Sequence, residues 1–162
     1  MIELNIYGII IMLGLFIPKI ILLFFKPIKR VPHKLHKQMA ILKKIGEYGV
    51  AIFSIISLFG YGYKIYNNTI YYLWIIIVLV LFITYYLLYI RYLIKRKEES
   101  LYDKIIIYCP ITIIKFLILF LSSIMLFNIY VIVFSILLFI GEYYIEYKKN
   151  FEWGYYEFNV FI

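Results

Sequence analysis

Cysteine and alanine are almost absent from this chain of 162 residues. Cys109 is the single cysteine, so a disulfide within the chain and dithiol redox chemistry are both excluded. Alanine occurs only at positions 40 and 51, while isoleucine, lysine, tyrosine, phenylalanine and asparagine dominate. That bias is typical of an AT-rich genome and favours a bacterium of low G+C content.

Recognisable catalytic motifs are also absent. The sequence has no GxSxG, HExxH or CxxC pattern and no phosphate-binding glycine loop. His33 and His36 have a spacing that suits two metal ligands, but no cysteine or carboxylate lies nearby in sequence to supply a third. We therefore predict no cofactor and no metal, and we favour a non-enzymatic protein.

Apolar residues are abundant. Hydrophobic residues make up 65% of the chain and aromatic residues 22%, and a small soluble domain has too little interior to bury that much apolar surface. Several runs approach or exceed the ~18 apolar residues that cross a bilayer. The sequence predicts an integral membrane protein.

Five apolar segments predict an all-α bundle of five transmembrane helices in one domain, residues 1–162. The predicted spans are residues 4–25, 47–66, 70–92, 105–126 and 129–146. Lysines alternate with apolar residues from His33 onward, which predicts a short amphipathic helix on the inner leaflet before the second span. The aromatic tail after the fifth span is expected along the interface.

The net charge of +8 is concentrated in the segments that this layout places inside. Among lysines and arginines, only Lys64 falls in an outward segment. The positive-inside rule therefore predicts the N-terminus outside and the C-terminus in the cytoplasm, in a multi-pass protein of the bacterial cytoplasmic membrane. We favour this explanation of the charge over a nucleic-acid partner.

The most basic stretch lies at residues 26–46. We expect it to contact anionic lipids at the cytoplasmic face or a membrane protein partner. The candidate contact residues are Lys29, Arg30, Lys34, Lys37, Lys43 and Lys44.

Two charged residues fall within apolar spans. Lys115 is central to the fourth span and Glu142 lies in the inner half of the fifth, with a tight Phe127-Asn128 corner between the two spans. Antiparallel neighbours would bring both head groups to the same depth, and an unpaired charge there is costly, so we predict an ion pair. Its role is left open between a structural pair and a ligand-binding or proton-coupled site that Lys19 joins.

Short motifs resemble those of a known group. The run GIIIMLGLFIPKIIL at residues 8–22 and the run LKKIGEYG at residues 42–49 resemble a group of small uncharacterised bacterial membrane proteins. Members pair an IPxII segment in the first span with an IGxYG entry to the second. The resemblance implies a small multi-spanning membrane protein and carries over no activity, cofactor or site residue.

Three functional classes follow from these observations. The first is a non-enzymatic membrane protein that binds a protein partner, or a small or lipidic ligand between its helices. The alternative is a small transporter or channel-like protein, as a homo-oligomer or alone, with Lys115 and Glu142 on its path. The third is a lipid-modifying enzyme that uses Glu47 or Glu142.

Overall fold

The structure is a computed structural model that describes residues 2–24, 37–58, 68–95 and 109–159. These residues form five helices and one pair of three-residue strands, so the predicted helical class is confirmed. The helices are α1 (Ile6–Phe24), α2 (Lys37–Ile55), α3 (Asn68–Lys95), α4 (Pro110–Met125) and α5 (Ile129–Asn159). The strands are β1 (Ile2–Leu4) and β2 (Ile56–Leu58), which pair antiparallel.

The helix boundaries differ most from the predicted spans at α2 and α5. Helix α2 begins at Lys37, ten residues before the predicted second span, because no proline follows Pro32 to interrupt it. The described part of the predicted amphipathic helix and residues 47–55 of the predicted second span are thus one continuous helix. The second span was predicted to remain helical to residue 66, but residues 56–58 form strand β2, and residues 59–66 lie outside the described residues. Helix α5 likewise continues through the predicted aromatic tail to Asn159.

Helix α2 packs most extensively against α5, and glycines on both helices allow it. A Cβ at Gly46 would lie 2.5 Å from the backbone nitrogen of Leu138. A Cβ at Gly141 would lie 2.7 Å from the backbone nitrogen of Lys43. Small residues of this kind let two helix backbones approach closely. The close approach places the second and third turns of α2 directly beside the first half of α5.

Helices α1 and α3 are joined where α1 contains a proline. Pro18 lies inside α1 and has no N–H, so the carbonyl of Gly14, four residues earlier, loses its helical donor. The Tyr86 hydroxyl of α3 donates a hydrogen bond to that carbonyl oxygen at 2.9 Å. The Tyr85 hydroxyl donates to the next carbonyl, that of Leu15, at 3.3 Å. Two tyrosines of α3 therefore donate hydrogen bonds to backbone carbonyls of α1 in the turn before its proline.

We predict that Tyr86→Phe destabilises the fold by about 1 kcal/mol, because the Gly14 carbonyl is left without a donor. Tyr72→Phe is the matched control, since Tyr72 lies on the same helix with its side chain exposed. The free energy of unfolding in mixed detergent micelles measures both changes. Equal stabilities for the two variants would contradict the proposed role of the Tyr86 hydroxyl.

The corner between α4 and α5 is as tight as predicted. Phe127 has a positive φ of 48°, and its N–H donates to the Ile124 carbonyl at 3.1 Å. The Asn128 N–H donates to the Ser123 carbonyl at 2.9 Å, which completes a Schellman motif. Asn128 then caps α5, because its Oδ1 accepts from the Val131 N–H at 3.3 Å. The amide Nδ2 also donates to the Phe53 carbonyl of α2 at 2.7 Å.

These contacts gather three segments at one end of the bundle. The β1–β2 pair joins the start of the chain to the end of α2, with Glu3 opposite Ser57. The bond from Asn128 to Phe53 brings the α4–α5 corner to the same end. We call this the corner end, and the end that holds the start of α2 and of α4 the opposite end.

Within the part of the chain that the structure describes, two helical segments, Thr69–Lys95 and Ile129–Lys148, are long and apolar enough to cross a membrane. The segments Ile6–Pro18 and Pro110–Met125 are apolar but shorter. Many large apolar side chains of α1, α3 and α5 are exposed, and Ile94 of α3 is 78% exposed.

Candidate functional site

Three charged side chains from three helices meet near the opposite end of the bundle. Lys115 of α4 donates a hydrogen bond and forms an ion pair with Oε2 of Glu142 on α5. Lys43 of α2 lies 3.9 Å from the other carboxylate oxygen, Oε1. The Lys115 and Glu142 side chains are only 9% and 10% exposed, whereas Lys43 is 27% exposed. We call these three residues the ionic cluster.

Tyrosines and a second carboxylate surround the ionic cluster. Tyr85 and Tyr89 of α3 lie within electrostatic range of Glu142. Their rings contact each other at 5.0 Å between centroids, in an edge-to-face arrangement. Glu146 is buried one turn beyond Glu142 on the same face of α5. The cluster is therefore a contact between α2, α4 and α5, with two buried tyrosines of α3 near its carboxylate.

The position of Lys115 within α4 differs from the prediction. Helix α4 begins at Pro110, a residue type favoured at the first helical position, and residues 105–108 lie outside the described residues. Lys115 is therefore only about 7.5 Å along the described helix rather than ~15 Å along a longer one. The pair that was expected near the middle of the fourth span lies in its second turn.

The other predicted site residues fall into three groups. Lys37 and Lys44 are exposed near the start of α2, where they were expected to face a membrane surface or a partner. Lys43 was assigned to the same surface, but the structure turns it toward Glu142. The side chain of Lys19 lies outside the described residues, as do Lys29, Arg30 and Lys34 and the two histidines.

A series of buried polar residues along α4 and α5 was missed by the sequence reasoning. On α4, Ser122 follows Lys115 by seven residues, and on α5 Asn128, Ser135 and Glu142 are seven residues apart. All five are buried. A seven-residue spacing is two helical turns, so each set lies along one face of its helix. We call these residues the polar seam, and their spacing is the signal that could have found it.

The space beside the ion pair is narrow. The volume in which a water-sized molecule could be placed is about 0 Å³. The lining residues include Thr112, Leu119, Ser135 and Phe139. The cluster as it stands holds three helices together and leaves no room for a ligand. Within residues 2–24, 37–58, 68–95 and 109–159, no group of three His, Cys, Asp or Glu residues is arranged to hold a metal ion.

Comparisons with protein-family models, curated proteins and solved structures give no match, so no function is carried over from a relative.

We predict that the Lys115→Met and Glu142→Gln changes are each destabilising and that the double variant recovers part of the loss. Glu142→Gln should cost about 3–5 kcal/mol, because it leaves Lys115 buried without its carboxylate. Lys115→Met should cost less, because Lys43 remains beside the carboxylate. The free energies of unfolding of the three variants form a double-mutant cycle that measures the coupling.

Lys44→Met is the control, since it removes a neighbouring exposed lysine. Strictly additive losses for Lys115→Met and Glu142→Gln, or a loss as large for Lys44→Met, would contradict the pairing energy assigned to the cluster.

Proposed function

We propose that the protein is a multi-pass integral membrane protein with five spans, its N-terminus outside and its C-terminus in the cytoplasm. The observation that carries this proposal is the apolar exterior. Only 28% of the most apolar window of Thr69–Lys95 is buried inside the protein, and 39% of that in Ile129–Lys148. A core helix of a soluble protein would be mostly buried, so these faces favour a lipid surrounding.

The charges of the described residues support the same orientation. Lys37, Lys44 and Lys95 are exposed near the opposite end, where α2 begins and α3 ends. The described residues of the corner end include no lysine or arginine. The positive-inside rule assigns the lysine-bearing end to the cytoplasm.

This topology predicts side-specific labelling of cysteines introduced at exposed positions. In a Cys109→Ser background, Phe127→Cys should react with a membrane-impermeant maleimide in intact spheroplasts, because the corner end faces outward. Lys95→Cys should react only after the membrane is opened. Equal labelling of both cysteines before opening, or recovery of the protein without membranes, would contradict the proposed topology.

We propose further that the protein is non-enzymatic and acts by binding a membrane protein partner or a lipidic ligand. The close packing of the ionic cluster supports this class over chemistry at the cluster, since no water-sized molecule fits in the space beside the ion pair. The outer face of α3 supports it too, because α3 exposes large apolar side chains along most of its length. Such a face suits another transmembrane helix or lipid chains equally.

A specific observation favours a small transporter as the second candidate. The polar seam runs from the corner end, at Asn128, to the ionic cluster, at Glu142. Polar residues within a membrane bundle mark pathways for ions or protons. On this proposal, Lys115 and Glu142 would lie on the path and the closed state would open between α4 and α5.

Native mass spectrometry after mild extraction from native membranes should distinguish the two candidates. The binding proposal predicts a stoichiometric protein partner, a second copy of the chain or a retained lipid, since each would cover the α3 face. The transport proposal predicts ion or proton flux in proteoliposomes that Lys115→Met abolishes and Lys44→Met leaves intact.

A bare monomer that shows no flux in proteoliposomes would contradict both proposals. Flux that survives Lys115→Met would contradict the assigned path and leave the polar seam without a transport role.

A further inference from the structure

A small cavity lies at the corner end, where α1, α2, α4 and α5 meet. Its polar lining residues are Asn5, Ser54, Ser122, Ser123 and Asn128, and Gly8 contributes backbone. Its volume is about 10 Å³ for a water-sized molecule. We call it the serine cavity, and it is separate from the ionic cluster, with which its described lining shares only Leu119.

The Ser122 hydroxyl is the one in the serine cavity that is fully buried without a hydrogen-bond partner among the described residues. Ser122 is 3% exposed, and its Oγ is fully buried and unpaired there. Two of the neighbouring polar side chains are already bonded to protein atoms. Ser123 Oγ donates to the Phe120 carbonyl at 2.8 Å, and Asn5 Oδ1 accepts from the Gly8 N–H at 3.1 Å.

The engaged groups retain some capacity to accept hydrogen bonds. A carbonyl oxygen has two lone pairs, so Asn5 Oδ1 and Asn128 Oδ1 can each accept one more hydrogen bond. Ser123 Oγ, which uses its proton on Phe120, can accept as well. A ligand in this cavity therefore has acceptors on α4, on α5 and beside α1, together with the free Ser122 hydroxyl.

Size and charge restrict the ligand. A cavity holds one water when it offers at least ~10–15 Å³ and two to four polar partners, and the serine cavity lies at that lower limit. The described lining contains no charged side chain, so nothing there would compensate an ion stripped of its water. Water is neutral, fits the volume, and both donates and accepts.

We propose that the serine cavity binds a single water molecule that bridges Ser122 to the asparagine oxygens and so ties α4 to its neighbours at the corner end. The water satisfies a buried hydroxyl that would otherwise cost stability. This site does not depend on the membrane location or on either proposed function, because it rests on the cavity and its hydrogen-bonding groups alone.

Thr112 supplies the matched contrast within the same helix. Its Oγ1 is also buried without a hydrogen-bond partner among the described residues. Thr112 lines the space around the ion pair, which has about 0 Å³ for a water-sized molecule. Two unpaired hydroxyls of α4 thus differ in whether a water fits beside them.

The bound water predicts opposite effects for two conservative changes. Ser122→Ala should lower the folding equilibrium constant about fivefold, because it removes one anchor of the water. Thr112→Val should leave that constant unchanged or raise it, because it replaces an unsatisfied hydroxyl by an apolar group of the same shape. Unfolding titrations in mixed micelles measure both constants, and Ser135→Ala checks the effect of losing a buried hydroxyl outside the cavity that is bonded within its own helix.

A direct measurement keeps the proposal falsifiable should a variant fail to fold. Magnetisation transfer from water in solid-state NMR of the wild-type protein should reach Ser122 and Asn128 early and Thr112 late. Equal or greater stability of Ser122→Ala, or equally slow transfer to Ser122 and Thr112, would overturn the proposal.

Discussion

The burial of the Glu142 carboxylate is the constraint on which the packing of α2, α4 and α5 depends. A carboxylate that is 10% exposed needs cations close by, because removing a charge from water costs several kcal/mol. Lys115 comes from α4 and Lys43 from α2, so compensation requires both helices to contact α5 at the same level. Gly46 and Gly141 make this possible, since side chains at those positions would hold α2 away from α5.

The same demand for satisfied polar groups governs the uncharged parts of the bundle. Pro18 frees a carbonyl in α1, and Tyr86 of α3 supplies the missing donor. The Asn128 N–H completes the motif that ends α4, and its side-chain oxygen caps α5. Its amide nitrogen also donates to the Phe53 carbonyl of α2. In a lipid surrounding there is no water to hydrogen-bond such groups. A backbone group that an irregular helix leaves unpaired therefore needs a hydrogen-bond partner from a neighbouring helix. The neutral side-chain hydrogen bonds between these helices therefore lie where one helix contains a proline or ends.

Sequence patterns predicted the parts of this structure that depend on composition and on single unfavourable residues. Sequence composition predicted the third helix and the Phe127-Asn128 corner. The contact between Lys115 and Glu142 could also be predicted, because a charge in an apolar run implies a partner of opposite charge. The role of Lys43 could not, since only the glycine contacts between α2 and α5 distinguish it from Lys44. The length of α2 was not predicted, because the basic residues at its start were interpreted as a separate helix on the membrane surface. The helix is continuous because no proline interrupts it.

The polar seam divides into two parts of different character at Leu119, the residue shared by the serine cavity and the space around the ion pair. On one side the groups are neutral and have room for a water, and on the other they are charged and closely packed. A bundle that only binds a partner at its surface can keep Leu119 in place, since nothing has to pass between the two sides. A transporter has to move it, because Ser122 and the Lys115–Glu142 pair lie two helical turns apart, which is about 10 Å. The mobility of the Leu119 side chain therefore distinguishes the binding proposal from the transport proposal more directly than the charged residues do. The packing requires the ion pair in either case.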